Sequence, residues 1–149
     1  MTKYSLKRLK NIFFLRIQYY LPMSGRFRAY FVKMGGVNVA NPNTCFIGEK
    51  VIFDSLYPEQ IEIGDHVHIT TGVIIYTHLL DTSKIGIHWM KGSVRIEEYA
   101  FIGANTIICN SVNIGKNVIV GAGSVITKDI PNNEIWAGNP VKLIKHRFE

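Results

Sequence analysis

The sequence predicts an all-β solenoid with a triangular cross-section, and a six-residue repeat is the main observation behind that prediction. An aliphatic residue occupies every sixth position of one long stretch: Ile96, Ile102, Ile108, Ile114, Val120 and Ile126. The residue four places after each of the first five is small or β-branched: Ala100, Thr106, Val112, Val118 and Ser124. Neither an α-helix nor a half-buried strand requires a period of six. In a triangular solenoid each short strand turns a corner after six residues, and three strands close one coil.

The composition fits one globular domain. With 149 residues and a hydrophobic fraction of 47%, the chain is long and apolar enough to bury a core, which argues against a disordered chain. The two cysteines, Cys45 and Cys109, match neither a zinc site nor a CxxC motif, so they are expected to fill the interior. No metal site is expected. No signal peptide is recognisable, and the cytoplasm is therefore the expected compartment.

The chain divides into three predicted segments: a basic helical segment over residues 1–36, the solenoid over 37–131 and a tail over 132–149. The net charge of +6 comes from the first of them. Residues 1–48 contain eight Lys or Arg residues and no acid, whereas residues 49–149 contain nine basic and eleven acidic residues. Any argument from net charge for an anionic partner therefore applies to the N-terminal segment.

Helical spacing predicts two helices in that segment. The first is amphipathic, extends over residues 5–21 and ends at Pro22, which cannot continue a helix. Its apolar face is predicted to consist of Leu6, Leu9, Phe13, Ile17 and Tyr20. The second helix extends over residues 26–34 and is closed by Gly35-Gly36.

Two interpretations of these helices stay open. A basic amphipathic helix binds anionic membrane surfaces, so residues 1–34 are a candidate for peripheral contact with the inner face of the membrane. The end of a solenoid must also be covered, so the same helices are a candidate cap or a contact with a neighbouring subunit. Phe, Leu and Ile recur on a helical period through the segment, which argues against a nucleic-acid partner.

Two interruptions of the six-residue repeat mark candidate functional loops. The spacing between Phe53 and Ile63 is ten residues, so the chain leaves the regular path there. The longer interruption is the loop at 76–95, which contains two of the five histidines, His78 and His88. Loops that interrupt a rigid scaffold commonly carry function. The longer loop is therefore the leading candidate site.

Three stretches of the sequence resemble the hexapeptide-repeat acyltransferases, in particular the maltose, galactoside and polysaccharide O-acetyltransferases. They are IGDHVHITTGVIIYTHLLD (63–81), FIGANTIICNSVNIGKNVIVGAGSVITKDIP (101–131) and AGNPVKLIK (137–145). The resemblance implies a left-handed parallel β-helix, acetyl-CoA as co-substrate, and a homotrimer with active sites between neighbouring solenoids. It also implies a sugar or glycan acceptor, which we expect in surface polysaccharide or its lipid-linked precursor.

The resemblance assigns roles to individual residues. His78, within the segment Thr77-His78-Leu79-Leu80-Asp81, occupies the position of the family's catalytic base. The family's coenzyme A positions, from pantetheine to nucleotide phosphates, correspond here to Ala104, Ala122, Thr127, Lys128, Lys142 and Lys145. Phe101 stands where a tryptophan is common in the family, and Asp54 corresponds to a polar residue on the acceptor side.

The chemistry of acetyl transfer agrees with these residue types. A neutral imidazole is suited to remove a hydroxyl proton near neutral pH. Gly103 and Gly121 let a ligand approach the backbone closely, and the backbone around Gly103-Ala104 is a candidate donor to the oxyanion. The group that orients His78 is open between Asp54 and Asp81.

Other residues of the long loop are candidates for the acceptor site. Trp89 or Tyr76 is suited to stack on a sugar ring, and His88 is a candidate hydrogen-bond partner of the acceptor. His66 and His68 alternate within a regular repeat and are expected to be structural.

Alternative functions stay open at this point. One is an N-acetyltransferase that acts on an amino sugar or an antibiotic. Another is a metal lyase of the gamma carbonic anhydrase type, which uses three histidines, two of them in an HxxxxH arrangement. The sequence has no HxxxxH, and the spacing of His66 and His78 puts them on different faces of an 18-residue coil. A non-catalytic scaffold would leave the histidine loop without a purpose.

Overall fold

The computed structural model describes residues 5–148, so Lys3 and the rest of residues 1–4 lie outside it, as does Glu149. Helix α1 spans Leu6–Tyr20 and helix α2 spans Gly25–Met34. A serine begins each helix, because its side-chain oxygen accepts a hydrogen bond from a backbone N–H in the first turn. No helix in the described part of the chain is long and apolar enough to cross a membrane.

Short strands follow the helices. In chain order they are β1 (Asn38–Val39), β2 (Phe46–Ile47), β3 (Ile52–Phe53), β4 (Ile61–Ile63), β5 (His68–Ile69), β6 (Ile74–Ile75), β7 (His78–Leu80), β8 (Trp89–Lys91), β9 (Val94–Ile96), β10 (Phe101–Ile102), β11 (Ile107–Ile108), β12 (Val112–Ile114), β13 (Ile119–Val120), β14 (Val125–Ile126), β15 (Glu134–Ala137) and β16 (Lys142–His146).

The parallel strands stack into three faces. Face A contains β1, β4, β9 and β12, face B contains β2, β5, β10, β13 and β15, and face C contains β3, β6, β11 and β14. Neighbouring strands of a face belong to successive coils and pair in parallel, as Phe53 does with Ile75. The predicted solenoid is confirmed, and its hand is that of a left-handed β-helix. Strand β16 turns back and pairs antiparallel with β15 at one end of face B.

The six-residue repeat forms the core. Each of its six aliphatic side chains is fully buried. The small or β-branched residues four places after them are at most 4% exposed. Polar members of the second set find partners inside the corners: Thr106 Oγ1 donates to the Gly103 carbonyl at 2.7 Å, and Ser124 Oγ donates to the Gly121 carbonyl at 2.6 Å. A buried hydroxyl is therefore accommodated without an unmet hydrogen bond.

Helices α1 and α2 cover the first coil, but α1 does so with a face other than the predicted apolar one. Asn11, Leu15 and Gln18 are its buried residues, and Gln18 Nε2 donates to the Val51 carbonyl at 3.0 Å. The first coil has no preceding coil to satisfy its backbone, so an amide side chain meets that carbonyl. The predicted apolar face lies mostly at the surface, with Phe13 58% exposed.

Both interruptions of the repeat leave from the corner that joins face C to face A, hereafter the C–A corner. After β3 the chain makes a short excursion with a 3₁₀ turn at Pro58–Gln60. After β6 it forms an antiparallel hairpin of β7 and β8, in which His78 pairs with Lys91. Because β3 and β6 are adjacent on face C, the two excursions lie side by side.

Candidate active site

An aspartate and a histidine from the two excursions meet at the C–A corner. Asp54 is the first residue after β3, and His78 is the first residue of β7. Asp54 Oδ2 lies 2.7 Å from His78 Nδ1. Asp54 is 2% exposed, whereas the side chain of His78 keeps 24% of its surface accessible. The buried carboxylate thus holds a partly exposed imidazole.

Five hydrogen bonds keep the Asp54 carboxylate charged. Its Oδ1 accepts from the Leu56 N–H at 2.8 Å. Its Oδ2 accepts from the N–H and Oγ1 of Thr77, both at 2.9 Å, and from the N–H of His78 at 3.0 Å, besides the imidazole. Burial raises the pKa of Asp54, but the hydrogen bonds from Leu56, His78 and Thr77 outweigh it and lower the pKa below its usual value.

This environment determines which imidazole nitrogen is basic. An ionised carboxylate only accepts hydrogen bonds, so the Nδ1 of His78 carries the proton in the contact with Asp54. In the neutral ring the lone pair then lies on Nε2. The side chain can therefore accept a proton at Nε2 while Asp54 stabilises the resulting positive charge.

Two aromatic rings flank the histidine. Tyr76 lies edge-on to the His78 ring at 5.3 Å between centroids, and Trp89 does so at 5.4 Å from the other strand of the hairpin. Both aromatic side chains are exposed. Exposed aromatic surface therefore adjoins the imidazole of His78.

Asp81 and His88 lie apart from this group. The Asp81 carboxylate accepts from the N–H and Oγ of Ser83 and pairs with Lys84 Nζ at 3.0 Å. Of the two candidates left open by the sequence, Asp54 is the one that contacts His78. The side chain of His88 is exposed beyond Trp89 in the hairpin and contacts neither member of the pair.

Thr77 contributes to the site in a way that its place in the sequence motif did not predict. Thr77 is fully buried, and its hydroxyl lies within hydrogen-bond distance of Asp54 Oδ2 and of the Tyr57 carbonyl. It thereby joins the hairpin to the shorter excursion. A second link is the ion pair of Lys91 Nζ with Glu59 Oε1 at 3.3 Å. The signal in the sequence that could have indicated this contact is the threonine directly before the motif histidine.

Four of the residues predicted to bind the acetyl donor, coenzyme A, lie together at the corner between faces B and C, hereafter the B–C corner. They are Gly103, Ala104, Gly121 and Ala122. A strand of face C separates this corner from the C–A corner of the same chain. The N–H of Gly103 donates to the Val120 carbonyl at 2.9 Å and thereby links two successive coils. Its lack of a side chain has a packing reason, because a Cβ there would lie 2.5 Å from the Ala122 nitrogen.

The other residues predicted to bind coenzyme A lie outside the B–C corner. Thr127 and Lys128 are exposed at the C–A corner, two coils beyond the site of His78. Lys128 Nζ lies 5.0 Å above the ring of Trp136. Lys142 and Lys145 are exposed on β16.

Phe101 lies on the outer side of face B and does not belong to the C–A corner. It is paired with His68 and Ile119 of the neighbouring coils, in a row of apolar and aromatic side chains. Within one chain it therefore lies away from His78.

The described residues contain no group of side chains that would support the metal-lyase alternative. Among residues 5–148, no three His, Cys, Asp or Glu side chains are grouped to hold a metal ion. His66 stacks on Tyr99 at another corner, 4.7 Å between ring centroids, apart from His78.

Comparison with known proteins relates the chain and its fold to one family. Residues 93–128 match the family model described as bacterial transferase hexapeptide (six repeats). The chain is 36% identical over 130 residues to the galactoside O-acetyltransferase of Lactococcus lactis subsp. lactis (strain IL1403), covering 80% of this chain. It spans 58% of the length of that relative.

Two solved structures share the fold. A maltose O-acetyltransferase from Clostridium difficile 630 is 25% identical with a TM-score of 0.70, covering 96% of this chain and 87% of that one. A galactoside acetyltransferase in complex with coenzyme A is 23% identical with a TM-score of 0.68, covering 94% and 80%. The class that the fold and these similarities define is an acyltransferase built on a left-handed β-helix. The chain belongs to the hexapeptide-repeat transferase family.

Proposed function

We propose that the protein is an acetyl-CoA-dependent O-acetyltransferase that acts on a sugar hydroxyl, with His78 as general base. The observation that carries the proposal is the 2.7 Å contact of Asp54 Oδ2 with His78 Nδ1, which leaves Nε2 as the basic nitrogen. We further propose that the sugar belongs to surface polysaccharide or to its lipid-linked precursor. The Lactococcus relative, named as a galactoside O-acetyltransferase, supports a sugar acceptor.

In the proposed reaction Nε2 of His78 takes the proton of the acceptor hydroxyl as its oxygen attacks the thioester carbonyl. The C–S bond of acetyl-CoA then breaks, and the sulfur leaves with the proton held on Nε2. The products are an O-acetyl ester and coenzyme A. General base catalysis of this kind contributes roughly 10²–10⁴-fold to the rate. Asp54 keeps the ring oriented and balances its charge in the intermediate stage.

The donor is proposed to extend along the B–C corner, past the small side chains of Ala104 and Ala122. Thr127 and Lys128 would then contact its outer half, and Lys142 and Lys145 its nucleotide phosphates. Ammonium groups bind phosphates as point charges, and both of these lysines are exposed.

A homotrimer is proposed because Gly103, Ala104, Gly121 and Ala122 lie at a different corner of the chain from the proposed base, His78. Face C lies between them, and its outward row is apolar: Ile52, Ile74, Ile107 and Val125. If that row packs against a neighbouring subunit, the B–C corner of one chain comes to the C–A corner of the next. The site is then completed by two protomers.

A titration calorimetry experiment tests the donor part of the proposal without knowledge of the acceptor. Acetyl-CoA should bind stoichiometrically, and dephospho-CoA or a Lys142→Ala/Lys145→Ala variant should bind roughly tenfold or more weakly, since charge-assisted contacts are lost. Lys116→Ala is the matched control, because this exposed lysine pairs with Glu98 at another corner. Absence of binding by a folded sample at millimolar acetyl-CoA would overturn the proposed function.

Peripheral attachment to the cytoplasmic face of the membrane is proposed for α1. Its exposed face carries Leu6, Leu9, Phe13 and Tyr20, and Lys7 and Lys10 lie at the surface of the same helix. Apolar side chains flanked by cations suit an anionic leaflet.

Sedimentation of the full chain with vesicles tests the attachment. Vesicles that contain phosphatidylglycerol should bind the protein more strongly than phosphatidylcholine vesicles, and Leu9→Ser/Phe13→Ser should abolish the difference. Ile85→Ser/Ile87→Ser is the control, because these two side chains are even more exposed but lie on the hairpin tip. Attachment through α1 would be contradicted if both variants lost vesicle binding equally, or if the wild-type protein showed no preference for anionic vesicles.

A further inference from the structure

A cavity of about 350 Å³ lies between α1 and the C–A corner. Asp54 and His78 line it on the side of the solenoid, and Arg16 and Tyr19 line it on the side of the helix. Its volume falls in the range of ligand-binding pockets, which begins near 300 Å³. Helix α1 thus forms one wall of the space beside the proposed base.

The helix wall of the cavity carries a cation that no carboxylate neutralises. Arg16 is exposed and makes no ion pair with any acid of the described chain. The sequence up to Gly48 contains no acid at all. The carboxylate that lines the cavity, that of Asp54, already accepts five hydrogen bonds. A guanidinium in such a place is suited to bind an anionic group, above all a phosphate through two parallel hydrogen bonds.

The position of Arg16 is fixed by its helix. Two residues further on, Gln18 is 1% exposed, and its Nε2 donates to the carbonyls of Leu15 and Val51, each at 3.0 Å. Two carbonyl acceptors set the orientation of the amide and tie the helix to the first coil. The helix that carries Arg16 is therefore held against the first coil.

Aromatic rings line the same cavity as the cation and the base. Tyr19 and Tyr20 line the cavity from α1, and Tyr76 lines it beside His78. Lys50 Nζ lies 5.0 Å above the ring of Tyr19 and adds positive charge to this side of the molecule. A sugar ring stacked on tyrosine can thus lie near His78 while an attached anion reaches the guanidinium.

We propose that the acceptor in the transfer proposed above is a sugar bearing a phosphate group, and that Arg16 binds this phosphate within the cavity. The inference rests on the proposed function and adds the chemical class of the acceptor. Free glycosyl phosphates, nucleoside diphosphate sugars and lipid diphosphate sugars all offer this group.

Binding of inorganic phosphate tests the site without a guess about the sugar. The full chain, with its histidines labelled and its donor site saturated with coenzyme A, is titrated with phosphate at constant pH and ionic strength. The imidazole resonance of His78, assigned from a His78→Asn spectrum, should shift and saturate. Arg16→Gln should weaken this binding tenfold or more, whereas Arg26→Gln, a charge loss on α2, should leave it unchanged.

A shift that does not saturate, or that is the same in both arginine variants, would overturn the inference. This result is distinct from failure of the proposed function, which appears as absence of acetyl-CoA binding. If the protein does not take up coenzyme A, the phosphate titration is made without it and remains decisive for Arg16.

Acetyl transfer then distinguishes the sources of the phosphate. Rates are measured for a glycosyl 1-phosphate, a nucleoside diphosphate sugar and a polyprenyl diphosphate sugar in vesicles, each beside the methyl glycoside of the same sugar. The phosphorylated member of a pair should have the higher kcat/KM, and Arg16→Gln should reduce the ratio about tenfold. A preference for methyl glycosides that Arg16→Gln leaves unchanged would contradict the inference.

Discussion

Asp54 and His78 come from two consecutive coils, and the 2.7 Å contact of Oδ2 with Nδ1 joins them at one corner of the solenoid. Their closeness follows from the fold. The strands that precede them pair in register on face C, Phe53 with Ile75, so the chain enters the two excursions about one strand spacing apart, ~4.8 Å. Asp54 follows the first of these strands directly, and His78 is the third residue after the second. The regular coil thus brings together a carboxylate and an imidazole that are 24 residues apart.

Removal of the imidazole should nearly abolish acetyl transfer. His78→Asn is expected to lower kcat roughly 10²–10⁴-fold, because the hydroxyl proton then has no base. Coupled detection of released coenzyme A thiol measures the rate. His88→Asn, in the same hairpin but away from Asp54, should stay near the wild-type rate. Equal effects of the two substitutions would refute the assignment of the base.

Asp54→Asn should impair catalysis while Asp81→Asn should not. The amide cannot fix the Nδ1–H tautomer as a carboxylate does, so we expect a drop in kcat on the order of 10²-fold or more. Asp81, which binds Ser83 and Lys84, should change kcat by no more than about twofold. A larger effect of Asp81→Asn than of Asp54→Asn would contradict the assignment of Asp54 as the residue that orients His78.

The same carboxylate makes stability depend on acid. Because the folded state lowers the pKa of Asp54 below its ordinary value of 3.8, its charge stabilises the fold above that value and ceases to do so as the pH falls through the folded pKa. Asp54→Asn should therefore be less stable than wild type at pH 7, by about 1.5–3 kcal/mol. Urea unfolding at several pH values should show this gap narrowing below pH 3.8.

Gly103→Ala tests how tightly successive coils pack. The new Cβ would meet the backbone of the next coil, which cannot give way, and we expect a loss of about 1–3 kcal/mol in the free energy of unfolding. Gly92→Ala is the matched control, because its Cβ would meet the movable ends of the Ser111 and Leu79 side chains. Thermal unfolding of both variants measures the difference. A wild-type melting temperature for Gly103→Ala would contradict the coil contact.

Mixed oligomers test whether the site is shared between subunits. His78→Asn lacks the base, and Ala122→Trp should block the donor groove, so each variant alone is expected to be inactive. In mixed trimers a shared site pairs the intact base of one protomer with the intact groove of its neighbour, and about a quarter of the activity should return after random assembly. No recovery, with mixed trimers demonstrated by native mass spectrometry, would place the whole site in one chain.

The sequence predicts the solenoid well because its signal is local and repeated. From Ile96 to Ile126 each coil obeys the same packing rule, so the period alone identifies the inward residues. The same period, where it fails, locates both excursions. The structure shows which side chains of the two excursions contact each other. The spacing of residues in the sequence cannot predict these contacts, because the repeat is interrupted there.

The orientation of α1 is a different case. Helical spacing correctly gives the helix and its apolar face, but not the side that packs on the coil. That side is decided by the Val51 carbonyl, which needs the amide of Gln18 as a donor. The two interpretations of the helix, as a cap and as a membrane contact, are therefore compatible. One face of the helix packs on the coil, and the exposed apolar face remains available for a membrane.

The position of both excursions at one corner makes the molecule modular. The coils before and after the hairpin pair directly, as Ile61 does with Val94, although more than thirty residues of chain separate them. A hairpin of another length or sequence can therefore be exchanged between β6 and β9 without changing any strand pairing. The loops at this corner can diversify while the three stacked faces of the solenoid stay unchanged, which makes the scaffold suited to grafting loops of new sequence.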